Sequence, residues 1–183
     1  EGPPDVAHVL QLTRRHPGIG SCAPYMEGEG LIRVGGEMSG TMLRGVLPDY
    51  ETKVSDVAKN IKSGKLDSLQ AGTFNIVLGA EIARALGVGV GDKVDLMIPQ
   101  ASVTPAGVLP RLRRFTVGGI FEVGMYEFDR GLVLIHMADS QALYLMVGNV
   151  TGLRLQLFDM FRAPLVAREL AQHVPGAFFV IDL

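Results

Sequence analysis

The chain has 183 residues, of which 48% are hydrophobic and 20% are charged, and its formal net charge is −2. This length suits one domain or two small lobes, and the composition is that of a folded chain rather than a disordered one. Because neutralising nucleic-acid phosphates requires a basic face, the net charge argues against a nucleic-acid-binding protein.

Both ends of the chain show the same order of elements, a helix, a Pro-Gly pair and an apolar strand. Asp5 is the predicted N-cap of the first helix, and Pro17 ends it because proline lacks the N–H that a helix requires. Near the other end, Pro164 starts a helix that leads through Pro175-Gly176 into a predicted strand at 177–181. Further short strands are predicted at 19–26, 30–34 and 41–46.

This similarity of the two ends predicts two lobes. Residues 1–48 and 140–183 are expected to form one α/β lobe, with both termini on the same side. Residues 49–139 are expected to form a second, mostly β lobe that is inserted into the first. The fold class predicted for the whole chain is therefore α+β.

The middle of the chain begins with a polar segment at 54–62 that is predicted to be helical. A strand at 74–78 and a helix at 80–86 follow, and Gly87 suits the left-handed position that ends a helix. The segment 132–135, LVLI, is predicted to be a buried strand. Two further strands have apolar residues at alternate positions, which predicts that these residues face inward: Val94, Leu96 and Ile98 on the first, and Phe115, Val117, Gly119 and Phe121 on the second.

These last two strands are predicted to form a hairpin whose tip, residues 99–112, is an unusually long loop. The stretch PQASVTPAGVLPRLRRF at 99–115 contains three prolines and apolar side chains, and it closes with Arg111, Arg113 and Arg114. No Asp or Glu occurs from Leu96 to Phe121, so the loop is a local positive patch on a slightly acidic body. Composition alone leaves open an ordinary surface loop with a few apolar side chains.

Sequence patterns that carry catalysis or bind metals and cofactors are absent. The four histidines are far apart, with none at metal-ligand spacing. The glycines of Gly87–Gly91 follow a helix and enter a strand, whereas a phosphate-binding loop needs the reverse order. The single cysteine, Cys22, excludes an intrachain disulfide, and its apolar neighbours predict a buried thiol. We therefore expect a non-catalytic domain without a cofactor or metal.

Nor does the sequence show a signal peptide or a membrane span. Its first residues lack a basic segment followed by an apolar one, and no apolar run approaches the roughly 20 residues of a span. We expect a domain excised from a longer protein.

The phrase LGAEIARALGVGVGDKVDLMIP at 78–99 resembles the extracytoplasmic domain of MacB-type ABC transporter permeases. MYEFDRGLVLI at 125–135 resembles a "G-x-Y-E-x-D" strand of the same family. The resemblance covers nearly the whole chain and implies the family's two-lobe fold, with a Porter lobe formed by both ends and an inserted Sabre lobe.

The loop itself resembles the Hook of the lipoprotein-releasing permeases of the LolC and LolF types. The matching positions are Pro99, Ala101, Ser102, Thr104, Pro105, Gly107, Pro110, Arg113, Phe115, Thr116 and Val117. The family also has a basic Pad beside the Hook. Arg113 lies at one Pad position, but Leu112 replaces a polar neighbour and Asp95 stands where an arginine is usual, which leaves Arg111 and Arg114 to carry the charge.

This resemblance implies a domain on the periplasmic side of the inner membrane that receives the lipoprotein chaperone LolA on its Hook, so that outer-membrane lipoproteins are handed over. It also implies a LolD-type ATPase subunit and a permease partner, either a LolE-type subunit or a second LolF copy. The alternative is a MacB-type efflux permease domain that engages an adaptor protein. The partner-binding residues implied by the Hook are Val103, Thr104, Pro105, Ala106, Gly107, Val108, Leu109, Pro110, Arg111, Arg113 and Arg114.

Overall fold

The structure is a computed structural model that describes residues 6–105, 107–146 and 148–174. The predicted N-cap Asp5, the predicted strand at 177–181 and the positions of the two termini lie outside these residues. The helices are α1 (Val6–Arg15), α2 (Pro48–Val54), α3 (Ala80–Leu86), α4 (Tyr126–Gly131), α5 (Met137–Tyr144) and α6 (Ala163–His173). The strands are β1 (Ile19–Val34), β2 (Glu37–Val46), β3 (Ile61–Gly64), β4 (Asn75–Gly79), β5 (Lys93–Thr104), β6 (Gly107–Phe121), β7 (Leu132–His136) and β8 (Gly152–Leu157).

Six of the strands close into a ring. The order around the ring is β1, β2, β7, β4, β6, β5 and back to β1. The β2–β7 and β4–β6 pairs are parallel, and the other four are antiparallel. Every ring strand therefore has a neighbour on each side over part of its length, which removes the free edges of an open sheet.

The ring interior is the main hydrophobic core. All six strands contribute to it, for example Ile32 of β1, Leu43 of β2 and Val133 of β7, none of which is exposed to solvent. The helices α3 and α5 follow the antiparallel neighbours β4 and β7 directly, so the two helices lie at opposite ends of the ring. Each helix adds apolar side chains to the same core.

A smaller cluster covers part of the outside of the ring. Val57, Leu66 and Leu69 pack there against outward-facing residues of β2, β4, β6 and β7. Phe121 belongs to this cluster rather than to the interior, because the pairing of β4 with β6 shifts by one residue before Gly119. The prediction that Phe121 faces the same side as Phe115 and Val117 was therefore wrong, since a one-residue shift reverses the side on which later residues lie.

The first half of β1 belongs to a separate layer. Residues 19–25 pair with β8, whereas residues 31–33 pair with β5. The prediction of two strands at 19–26 and 30–34 was wrong, because β1 is continuous. The division into a lobe of residues 1–48 and 140–183 and a lobe of residues 49–139 stays a prediction.

The helices α1 and α6 pack on one face of the β1–β8 pair, because Ile19 and Cys22 are paired with Leu157 and Leu155 on the same side of the sheet. Ile19 packs with Val166 and Leu170 of α6, and Thr13 of α1 contacts the buried Cys22 thiol at 3.4 Å. Burial raises the pKa of that thiol. In the part of the chain that the structure covers, no helix is both long and apolar enough to cross a membrane.

Two further local predictions were wrong and several were confirmed. Residues 54–62 are not one helix, because α2 ends at Val54 and β3 pairs with β6 from Ile61. Residues 126–131, expected to be part of a strand, form α4. The α3 helix does end at Gly87, whose φ of 64° is left-handed, and the buried strand β7 contains the LVLI segment.

Candidate partner-binding hairpin

The predicted loop at 99–112 is a continuation of the β5–β6 hairpin. The two strands pair from Lys93 with Thr116 outward to Thr104 with Gly107. The expectation of a long loop was therefore wrong, because β5 continues to Thr104 and β6 begins at Gly107. The ladder shifts register between Ile98 and Ala101, so that Pro99, which cannot donate a backbone hydrogen bond, lies in the irregular part of the ladder.

The hairpin has an inner half inside the ring and an outer half beyond it. β1 pairs with β5 only at residues 95–97, and β4 pairs with β6 only at residues 116–121. Within the described residues, the backbone pairings of 101–104 and 107–110 are only with each other. We call residues 101–110 the ribbon. Pro105, Gly107 and Pro110 of the ribbon are exposed, and the φ of 115° at Gly107 suits a residue without a Cβ.

Two arginines of β6 face the end of the ring that α5 covers. Arg111 pairs with Ile98 and Arg113 with Leu96, so both lie on the same side of the hairpin as the core residues. Arg111 Nη1 donates a hydrogen bond of 2.9 Å to the carbonyl oxygen of Leu143 in α5. The Arg113 guanidinium carbon lies 3.8 Å from the centroid of the Phe74 ring, a cation–π contact.

The third arginine lies on the opposite face and is paired. Arg114 donates hydrogen bonds of 2.9 and 3.4 Å from Nε and Nη2 to the Asp95 carboxylate, which also lies 3.5 Å from Arg33. These bonds, chiefly the one from Arg114, lower the pKa of Asp95. Asp95 thus offsets part of the positive charge that the sequence places on this segment, and the charge on the α5 side is carried by Arg111 and Arg113.

A cleft opens between the base of the ribbon and α5. Its volume is about 340 Å³. The residues that line it are Phe74, Arg111, Leu112, Arg113, Ala142, Leu143 and Leu145. Two guanidinium groups beside apolar walls suit an acidic side chain with an apolar neighbour, because the arginines supply charged donors and the walls supply area to bury.

The opposite face of the hairpin carries an apolar row. Leu31, Met97 and Leu112 lie side by side across β1, β5 and β6, and Leu31 and Leu112 are 41% and 46% exposed. An open groove of about 590 Å³ continues this row past Met42 and Pro99. Contiguous exposed apolar area of this kind is typical of interaction surfaces.

A sequence model described as the MacB-like periplasmic core domain matches residues 2–172 of this chain. The chain belongs to the MacB-like periplasmic core domain family. The extracellular domain of the non-canonical ABC-type transporter YknZ from Gram-positive bacteria has a similar fold, with a TM-score of 0.61 at 11% identity over 91% of this chain and 80% of that one. The predicted α+β, MacB-like fold is thereby confirmed.

Relatives in this family bear the name of the predicted type. The lipoprotein-releasing system transmembrane protein LolC of Xylella fastidiosa strain Temecula1 is 46% identical over 178 residues, which are 97% of this chain and 43% of the relative. LolC of Neisseria meningitidis serogroup B is 41% identical over 166 residues, which are 91% of this chain and 40% of the relative. The resemblance to LolC-type permeases is confirmed, and this MacB-like domain spans less than half the length of these relatives.

The structure places the predicted partner-binding residues in three groups. Pro105, Gly107 and Pro110 are on the exposed ribbon, Arg111 and Arg113 line the cleft, and Arg114 is on the other face. The side chains of Val103, Thr104, Val108 and Leu109, and all of Ala106, lie outside what the structure describes. Sequence reasoning missed Phe74 and Leu143, which meet the arginines only through the fold; the alternation of residues along a strand would have separated Arg113 from Arg114.

Proposed function

We propose that this domain docks a LolA-type periplasmic lipoprotein chaperone through the ribbon, as part of a lipoprotein-releasing ABC transporter permease. The observation that carries the proposal is that, within the described residues, 101–104 pair with 107–110 beyond the positions where β1 and β4 pair with the hairpin, and that Pro105, Gly107 and Pro110 are exposed there. The LolC relatives are named as parts of a lipoprotein-releasing system, which supports the class of cargo.

The shape of the ribbon favours binding because little of its conformational freedom remains to be lost. Prolines restrict φ in the free state, and the Thr104–Gly107 pairing closes the turn between the strands. Val103, Val108 and Leu109 are the proposed apolar contacts, and each side chain of this size stabilises a complex by about 1.5–3 kcal/mol when it is fully buried.

The arginines supply the positive charge of the proposed contact. Arg111 and Arg113 lie at the base of the ribbon and line the same cleft, so an acidic patch on the chaperone would meet two guanidinium groups as its apolar surface meets the ribbon. Such charges accelerate encounter, and salt weakens their effect. We place Arg114 at the edge of this contact because Asp95 holds it.

In the whole transporter, the proposed role of the domain is to bring the chaperone to the permease so that the lipoprotein is handed over. ATP hydrolysis is assigned to a separate LolD-type subunit. The permease partner is a LolE-type subunit or a second copy of the same permease, and flanking transmembrane helices attach the domain to the inner membrane. The domain acts by docking and by passing on movements of those helices.

The test is to replace residues 99–110 by Asn-Gly, which joins Ile98 to Arg111, the last pair of the inner strands, through a two-residue turn. Biolayer interferometry with purified LolA from the same bacterium should show that binding is lost, while circular dichroism shows a folded domain. Phe161→Ser is the control, because Phe161 is 89% exposed in the short 3-10 helix before α6 and its loss should leave binding unchanged. Unchanged LolA binding by the shortened variant would contradict the proposal and favour the efflux-type alternative, in which the domain engages an adaptor.

A further inference from the structure

Two buried aspartates form matching contacts at opposite ends of the ring. Asp139 of α5 accepts backbone hydrogen bonds from Gly72 at 2.7 Å and Phe74 at 3.1 Å. Asp129 of α4 accepts backbone hydrogen bonds at 2.8 and 2.9 Å from the two residues 123–124, just beyond the end of β6. Both residues are at most 5% exposed. Each carboxylate links its helix to a turn, and breaking that link would leave buried N–H groups without a hydrogen-bond acceptor.

Asp139 acts on a residue in an unfavourable conformation. Phe74 has a φ of 51°, in the left-handed region that aromatic residues rarely adopt. Such a conformation persists only where surrounding contacts hold it, and the Asp139 bond to the Phe74 N–H is one of them. The Phe74 ring packs edge-on against Phe115 with centroids 5.6 Å apart, which fixes where the ring lies beside β6.

The Phe74 ring in turn supports the base of the ribbon. Arg113 lies over the ring at 3.8 Å, and two residues nearer the tip Arg111 bonds to the Leu143 carbonyl of α5. The strand is therefore held to α5 at two points, once directly through Leu143 and once through Asp139 and Phe74. These points come immediately before Pro110, where the self-paired residues of β6 begin.

We propose that Asp139 is a positioning residue for the ribbon. By fixing Phe74, and with it Arg113, it sets the direction in which the ribbon leaves the ring. The ribbon adds four residue pairs beyond this support, or about 13 Å at the rise of a strand, so that a tilt of about 20° at the base displaces the tip by about 4–5 Å. This inference rests on the proposed function only for the identity of the partner that the ribbon binds.

The test compares Asp139→Asn with Asp129→Asn. Asparagine keeps one acceptor oxygen and replaces the other by an NH2 group that cannot accept, so each variant loses one backbone bond at a buried site. Both should lower the melting temperature similarly. Only Asp139→Asn should raise the hydrogen-exchange rates of the amides at 107–109 and 111–113, by about tenfold, because only this site supports the ribbon.

A second variant keeps the inference testable if Asp139→Asn does not fold. Phe74→Leu preserves an apolar side chain but removes the ring beneath Arg113, and it should raise the same exchange rates. The wild-type domain should bind LolA. Asp139→Asn and Phe74→Leu should each weaken that binding about five- to tenfold, because a smaller fraction of molecules holds the ribbon in the binding orientation.

Equal exchange rates at 107–109 and 111–113 in Asp139→Asn and Asp129→Asn would overturn the inference, as would unchanged rates in Phe74→Leu. The exchange measurement requires no chaperone. Failure of the wild-type domain to bind LolA would therefore remove the proposed function and leave the positioning role of Asp139 to be decided by the exchange data alone.

Discussion

The inner and outer halves of the β5–β6 hairpin share one hydrogen-bonded ladder but differ in what holds them. The inner half places Val94, Leu96 and Phe115 in the ring core, where each is at most 1% exposed. In the outer half, Pro105 and Gly107 are exposed, and the described backbone pairs only with itself. Backbone pairing by itself stabilises a two-stranded ribbon only marginally. The domain thus draws its stability from the inner half, and the outer half is the part that we propose contacts a partner.

Removing a core side chain from the inner half should have the largest effect. Phe115→Ala should reduce the free energy of unfolding by about 3–5 kcal/mol, because it leaves a cavity among fully buried residues. Urea unfolding followed by circular dichroism measures this change. Pro105→Ala at the exposed turn is the matched control and should leave the unfolding curve within about 0.5 kcal/mol of wild type. Similar losses for the two variants would remove the distinction between the halves.

A strained substitution in the outer half should act locally. Gly107 has a φ of 115°, so Gly107→Ala should cost about 1–3 kcal/mol in that conformation. Because the described pairings of the ribbon join its own two strands beyond the ring, the cost should appear as faster hydrogen exchange at the tip while the unfolding midpoint stays unchanged. Gly36→Ala, at a turn glycine with open space around its Cβ position and no positive φ, is the control and should alter neither quantity. A lowered midpoint for Gly107→Ala would show that the ribbon contributes to global stability.

Restoring freedom to the turn should weaken binding modestly. Pro105→Gly should leave folding intact and cost about 0.4–1 kcal/mol in LolA affinity, or about a two- to fivefold rise in Kd. The reason is that the glycine variant has more conformations to lose when the complex forms. Pro164→Gly, at the start of α6, serves as the control for proline loss elsewhere and should leave Kd unchanged. An unchanged Kd for Pro105→Gly would mean that the turn is not ordered by its proline.

The smallest expected effect is on the pH dependence of stability. It comes from the Asp95–Arg114 ion pair, which lies on the side of the hairpin that faces away from the core. Arg114 keeps the pKa of Asp95 below its usual value, so this pair stabilises the folded state above roughly pH 4. That contribution should disappear as the pH falls through the lowered pKa of Asp95, because protonation removes the attraction. Asp95→Asn should lack this part of the pH dependence. Unfolding curves between pH 5 and about pH 2, compared between the two proteins, check this expectation; identical slopes would mean that the pair is not linked to folding.

Sequence patterns predicted the inner half of the hairpin well. Val94, Leu96 and Ile98 alternate with period two, and all three are buried as expected. The same reasoning failed at Phe121, because a register shift near Gly119 depends on how β4 meets β6 and leaves no period in the sequence. It also failed at Ile61, where pairing with a distant strand overrides a polar segment's local preference for helix.

The candidate site was predictable only in part. The prolines and arginines of 99–114 lie within one short stretch of the sequence, so composition and resemblance both find them. Asp139 and Phe74 lie 65 residues apart and meet through the fold, with no motif to connect them. A support assembled from three separate segments cannot be read from any one of them.

Closure of the ring makes assembly of the domain a late event during synthesis. Leu31 of β1 cannot pair until Met97 of β5 has been synthesised, and Met42 of β2 cannot pair with β7 until Leu132 has been synthesised. At about 5–20 residues per second, β1 and β2 wait about 5–20 s for the last of these neighbours. Throughout that interval Ile32 and Leu43 have no interior to enter, so the newly made N-terminal hairpin is the segment most in need of protection from aggregation.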